Sequence, residues 1–124
     1  MGNPHCTFFV EDAAKINLDE MGPKFENHPL FPERTNVQFA SISTPDKIRM
    51  RVWERGVGVT LASGSSSCAT AVAANRRRLT GKKVQIELDG GILNINWRED
   101  GVWMTGPTMN VFTGSISEEF LNSL

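Results

Sequence analysis

The sequence predicts an α+β domain in which several strands surround one enclosed helix. Three observations predict it. The runs 47–53, 84–88 and 93–97 alternate apolar and polar residues with the period of two of a half-buried strand. The stretch Cys68-Ala69-Thr70-Ala71-Val72-Ala73-Ala74 is small and apolar almost all round, as suits a helix enclosed by other elements. The 124 residues make one domain, 1–124, and 40% hydrophobic with 22% charged residues is a globular mix that argues against disorder.

Taken in order, Cys6–Val10 is a short β-prone run. Leu18–Asn27 is a helix candidate with Asp19 and Glu20 near its start, where the helix dipole favours acids, although Gly22-Pro23 interrupts it. Val37–Ile42 follows Asn36 as a strand and ends at a Pro45-Asp46 turn. From Lys47 onward, Ile48, Met50 and Val52 share one face, and Lys47, Arg49, Arg51 and Trp53 share the other.

The main helix is expected from about Ser66 to Arg78, with Arg76, Arg77 and Arg78 in its last turn and Gly81 at its exit. Val84, Ile86 and Leu88 then alternate, Asp89-Gly90-Gly91 turns, and Leu93, Ile95 and Trp97 alternate back as a hairpin. Arg98-Glu99-Asp100-Gly101 turns into a strand at Val102–Thr105, and a last strand is expected over Val111–Ile116. Glu118–Leu124 reads as a short helix or a frayed end.

Thirteen Lys+Arg against fourteen Asp+Glu leave a net charge of −1, so no global charge excess points to nucleic acid or an acidic membrane. The Arg76–Arg78 triplet reads as a helix end rather than a nucleic-acid patch. No apolar run approaches the ~20 residues that cross a bilayer, and Met1–His5 lacks the basic flank and apolar core of a signal peptide. The two cysteines, Cys6 and Cys68, cannot build a disulfide framework and fit a reducing cytoplasm.

The segment Glu54–Cys68 carries the chemistry. A charged pair, Glu54-Arg55, follows a strand, a glycine-containing connection comes next, and the loop Ser63-Gly64-Ser65-Ser66 then opens the enclosed helix. Free backbone N–H groups at a helix start, backed by the positive end of the dipole, form an anion site. Glycine at position 64 removes a side chain that would hold a ligand away. The bland reading is N-capping by one of the four serines. Gly81-Lys82-Lys83 lacks the rest of a P-loop, Gly64–Cys68 lacks the second glycine of a nucleophile elbow, and no Cys/His cluster completes a metal site. Gly2-Asn3-Pro4-His5 is a second polar cluster, although Asn-Pro marks turns, an isolated His is more often structural, and Asn36 also reads as a turn residue.

These clusters occur together in one known order. Gly2-Asn3-Pro4-His5, His28–Val37 with its Arg34-Thr35-Asn36-Val37, Val52–Gly58, the Ser63-Gly64 loop and Met104-Thr105-Gly106-Pro107 together resemble the C-terminal half of diaminopimelate epimerase. The resemblance spans nearly the whole chain. It implies a lobe with a mixed, mostly antiparallel sheet wrapped around a central Ala-rich helix. It also implies an isomerase that needs no cofactor and interconverts LL- and meso-diaminopimelate for lysine and peptidoglycan precursors. In that family the substrate lies between two lobes, and a cysteine from each approaches the α-carbon from opposite faces.

Carried onto this sequence, the resemblance implies that Asn3 and Asn36 hydrogen-bond the distal end of the substrate. Glu54 and Arg55 line the site, with Arg55 suited to a carboxylate. Gly64 and Ser65 offer N–H groups to the α-carboxylate. His5 and Glu54 adjust the protonation of the catalytic groups. Two departures stand out. Ser63 occupies the position of the family's acid/base cysteine, with Cys68 matching a second, non-catalytic cysteine, and the N-terminal lobe with its Gly-Asn-Gly…Cys signature has no counterpart.

The expectation is a detached C-terminal lobe that is inactive alone and pairs with the missing lobe or with a second copy through an apolar surface. The alternatives are a non-catalytic amino-acid-binding or oligomerising domain that retains the carboxylate cradle, and a related isomerase such as proline racemase-like or phenazine-biosynthesis-type proteins.

Overall fold

The alternating runs become the middle of a curled sheet. The computed structural model describes residues 1–124. Its strands are β1 (His5–Phe9), β2 (Asn36–Thr44), β3 (Lys47–Glu54), β4 (Gly58–Thr60), β5 (Lys83–Leu88), β6 (Gly91–Arg98) and β7 (Gly101–Thr105). The helices are α1 (Leu18–Glu26), α2 (Gly64–Arg76) and the four-residue α3 (Glu118–Leu121), with a 3₁₀ turn at Ala13–Lys15. The strand order is β1-β2-β3-β5-β6-β7, with β4 pairing β3. The β1–β2 and β3–β5 pairs are parallel and the rest are antiparallel. Helix α2 touches β1 at one end of this order and β7 at the other, so the sheet curls around it. No helix is long and apolar enough to cross a membrane.

The expected face of β3 is the buried one. Ile48, Met50 and Val52 join Ala40, Val84, Ile86 and Ile95 against Cys68, Ala71 and Ala74 of α2 in the main core. The other face of β2, Val37 and Phe39, packs under the 3₁₀ turn and α1. There Phe8 lies 4.3 Å from Phe25 and 5.3 Å from Phe39 between ring centroids. Helix α1 runs through Pro23 to Glu26, and Gly22 faces the Trp53 indole so closely that a Cβ would sit 2.3 Å from Cδ2.

Three expectations are corrected. Residues 111–116 form no strand: they lie beyond the end of β7 and pair with no other strand, and Val111 and Phe112 are 82% and 83% exposed. Helix α2 begins at Gly64, two residues before the expected Ser66, and it ends through Arg78 rather than Gly81. Arg78 takes the left-handed conformation at φ 60°, its N–H donating to Asn75 O and that of Leu79 to Ala74 O. Strand β4, only three residues long, falls where the sequence suggested a glycine-containing connection.

Candidate active site

Register places the polar residues before any side chain is considered. In the parallel β1–β2 pair His5 stands beside Asn36 and Thr7 beside Gln38. Gln38 faces Val52 of β3, which faces Thr60 of β4. One step beyond the Val37–Trp53 pair, β2 begins at Asn36 and β3 ends at Glu54. His5, Asn36 and Glu54 therefore meet at one end of the sheet. Three residues separate the end of β4 from the start of α2.

The loop into α2 is anchored by the β5–β6 turn. The Gly90 N–H donates to Leu61 O at 2.7 Å, and a Cβ on residue 90 would stand 3.0 Å from that oxygen. Ser63 then opens the helix in extended conformation, its carbonyl accepting from the Ser67 N–H at 3.1 Å and the Ser67 hydroxyl at 2.7 Å. The Ser63 side chain makes no capping bond; its hydroxyl donates to Ser66 Oγ at 3.1 Å. The N–H groups of Gly64, Ser65 and Ser66 lie in the first turn, where no intrahelical carbonyl reaches them. Gly64 and Ser65 are half-buried, whereas Ser63 is only 7% exposed. A Cβ on Gly64 would meet Met104 Sδ and Cε at 3.1 Å, so the β7 thioether lies against the helix start.

A continuous hydrogen-bond chain joins the two polar clusters. Asn3 Oδ1 lies 3.0 Å from His5 Nε2, and His5 Nδ1 lies 3.1 Å from Gln38 Nε2. Gln38 Nε2 also donates to Ser66 Oγ at 2.9 Å, and Ser66 accepts from Ser63. Asn36 is held from both sides: its Nδ2 donates to Pro4 O and its Oδ1 accepts the Arg55 N–H, each at 3.0 Å. Glu54 Oε1 accepts from Thr60 Oγ1 at 2.6 Å. The Arg55 guanidinium turns to the Glu33 carbonyl at 3.0 Å.

Of the expected residues, the structure therefore links Asn3, His5 and Ser63 through side chains and ties Asn36 to the Arg55 backbone. Gly64 and Ser65 follow Ser63 directly, and Arg55 sends its charge toward residue 33.

Two residues that the sequence did not single out complete the arrangement. Gln38 is fully buried. Glu26, 5% exposed, receives the Trp53 Nε1–H at 2.6 Å, the Gly56 N–H at 2.9 Å and Arg34 Nη1 at 3.1 Å. It thereby fixes the turn that carries Arg55. Burial by itself would raise the Glu26 pKa, but these donors outweigh it and hold the carboxyl below the ordinary range. His5 is lowered, first by burial and then by the positive chain start, with Arg55 adding to them and the Glu54 carboxylate pulling the other way. Burial pushes the thiols of Cys6 and Cys68 up, and Cys68 packs in the main core.

A groove of about 460 Å³ runs along the flank of α2, between Asn3, His5 and Thr7 on one side and Ala69, Ala73 and Arg77 on the other. It takes in Asn3 and His5 but not the helix start. No three His, Cys, Asp or Glu side chains converge as a metal ion requires.

Comparison with known proteins finds one family by sequence and a wider set of proteins by fold. The family model described as diaminopimelate epimerase matches residues 1–111. The diaminopimelate epimerase of Rhodospirillum centenum is 58% identical over 122 residues, which cover 98% of this chain and 42% of that protein. That of Synechococcus elongatus is 55% identical over 117 residues, covering 94% and 42%. The chain thus spans less than half the length of these relatives. Among solved structures, a phenazine biosynthesis protein of the PhzF family from Bacillus anthracis superimposes with a TM-score of 0.54 at 25% identity, over 79% of this chain and 33% of that one. A PhzF-family protein from Enterococcus faecalis shares the fold, with a TM-score of 0.69 at 15% identity over 99% and 45% of the two chains.

Proposed function

The chain belongs to the diaminopimelate epimerase family, and on that premise we propose that it is the C-terminal lobe of such an epimerase. In this reading it supplies one of two walls around an amino-acid substrate whose α-proton is exchanged without a cofactor. The observation that carries the proposal is the hydrogen-bond chain Asn3–His5–Gln38–Ser66–Ser63, which joins the polar end of the sheet to the start of α2, where the first N–H groups have no helical partner.

The chemistry follows from that placement. An α-proton is weakly acidic, and its removal sends negative charge onto the neighbouring carboxylate. Gly64, Ser65 and Ser66 N–H groups, with the positive end of a 13-residue helix behind them, stabilise that charge. Asn3 and Asn36 hold the distal end of diaminopimelate; Asn36 keeps one N–H and one lone pair free of its bonds to Pro4 and Arg55. Arg55 reaches a carboxylate by leaving the Glu33 carbonyl.

Ser63 takes the acid/base position by resemblance. A hydroxyl is a far weaker acid than a thiol, and the neighbour it meets is another hydroxyl, that of Ser66, not a base. The opposite face of the α-carbon needs a group from outside this chain, either an N-terminal lobe or a second copy. The exposed apolar residues Met109, Val111, Phe112, Ile116, Phe120 and Leu121 support a partner of that kind. Two free cysteines fit a reducing cytoplasm.

The Ser63–Ser66 bond also favours a second reading, a domain that binds the amino acid and does no chemistry. Deuterium incorporation at the α-carbon of diaminopimelate in heavy water separates the readings. The epimerase reading expects no exchange by the chain alone, and exchange when a relative's N-terminal lobe is added to the Ser63→Cys chain. Exchange by the isolated wild-type chain would contradict the two-wall mechanism. Binding without exchange in every combination would favour the second reading.

A further inference from the structure

Gln38 joins the two polar clusters, and no motif in the sequence marked it. Its amide lies under the sheet with no solvent exposure and three partners. Oε1 accepts from Thr7 Oγ1 at 3.1 Å, while Nε2 faces both His5 Nδ1 at 3.1 Å and Ser66 Oγ at 2.9 Å. An NH₂ group donates only, so the His5 nitrogen that faces it must carry a lone pair. The ring proton is then on Nε2, where Asn3 Oδ1 receives it at 3.0 Å.

We propose that Gln38 is a positioning residue that holds His5 as the neutral Nε2–H tautomer, so that the ring offers a hydrogen-bond donor rather than a base to the substrate side of this wall. The proposal rests on the epimerase reading for its function, although not for its geometry. An imidazolium would place a second N–H against the Gln38 NH₂. To accept it, the amide must turn over, and the Thr7 and Ser66 hydroxyls must reorient with it. Ser66 also accepts from Ser63, so that turn would reset the hydroxyl at the start of α2. The charged groups that bear on His5 are the Met1 amino group, Glu54 and Arg55, with Arg76 and Arg77 across the groove on α2. Only Glu54 among them favours the imidazolium. The Nε2–H, bonded to Asn3 Oδ1 in this chain, is a donor that an anionic acid/base group facing the lobe would share with or take from Asn3, and it does not take up that group's proton.

Nitrogen-15 NMR of the labelled full chain tests this without substrate or turnover, with His28→Gln assigning the two histidines. In the wild type near neutral pH, His5 Nδ1 should resonate as unprotonated and Nε2 as protonated. Gln38→Glu puts an acceptor in place of the donor, and it should reverse the tautomer and move the His5 titration midpoint upward. Gln38→Met removes the partner and should leave a mixture of tautomers. A wild-type ring protonated on Nδ1 would overturn the proposal, as would an unchanged tautomer and midpoint in Gln38→Glu. A wrong tautomer leaves the carboxylate cradle untouched, and a failed exchange experiment leaves the tautomer untouched.

Discussion

The Ser63 hydroxyl donates to Ser66 Oγ at 3.1 Å, and its oxygen accepts no backbone N–H of the first turn, so the residue that opens α2 makes no side-chain cap. The helix start keeps its unpartnered N–H groups, and position 63 lies at the positive end of the dipole.

Ser63→Cys puts a thiol at that end. The dipole and nearby N–H groups favour the thiolate, whereas burial of a site only 7% exposed opposes it. The expected outcome is one new thiol whose alkylation titrates below the ~8.5 of a free cysteine. Cys6 and Cys68, both pushed up by burial, should react slowly. If the introduced thiol titrates no lower than they do, the helix start does not polarise this position.

Glu26→Gln removes a buried charge from three donors, Trp53, Gly56 and Arg34. Charge-assisted bonds of this kind contribute roughly 1.5–3 kcal/mol, so urea denaturation at pH 7 should show a loss of that order. The folded-state pKa of Glu26 is depressed, so its contribution is fully present above the unfolded value of ~4.3 and is lost as pH falls through the folded one. The gap between wild type and variant should therefore close in acid. Asp89, where burial is outweighed by the hydrogen bonds from Arg49 and Arg51, adds an acid-sensitive contribution of the same sign to both proteins. A gap that is constant with pH would show that Glu26 stabilises by packing alone.

Gly22→Ala introduces a Cβ 2.3 Å from the Trp53 ring. Overpacking typically costs about 1–3 kcal/mol. The displaced indole should also lose its bond to Glu26, visible as a shift of the Trp53 N–H resonance. An unchanged melting temperature and indole signal would contradict the close contact.

Arg78→Gly should stabilise. A left-handed non-glycine residue costs about 1–2 kcal/mol, more than the ~0.5–1 kcal/mol of extra chain entropy that glycine loses on folding. A net gain of about 0.5–1 kcal/mol is expected in a thermal melt, because Arg78 already has the helix-terminating conformation. A fall in stability would show that the guanidinium has a role that this geometry does not provide.

What the sequence made legible was local. The period of two at Ile48, Met50 and Val52 named the buried face of β3, and the Ala-rich run named the enclosed helix. What it hid depends on distant partners. Val111–Ile116 has the residues of a strand, yet strands exist by pairing, and nothing in this chain lies beside it. Glu26 sits in a short helix with Asp19, Glu20 and Lys24, where one more charge reads as a solvent face; its buried role comes from Trp53 and Gly56, far along the chain. Gln38 offered one signal, alternating with Val37 and Phe39 just after Asn36. A polar residue on the face of a strand that turns toward the core needs partners, and those partners lie 28 to 33 positions away. The site residues themselves became legible through the order of several motifs, none of which was specific alone.

The carboxylate cradle is best tested by following backbone amide resonances of the full chain while diaminopimelate is added. The account predicts saturable shifts at Gly64, Ser65 and Ser66, reproduced by an amino acid with the same α-carboxylate and absent with a diamine that lacks carboxylates. Shifts confined to the groove beside Arg76 and Arg77, with the three helix-start amides unmoved, would contradict it.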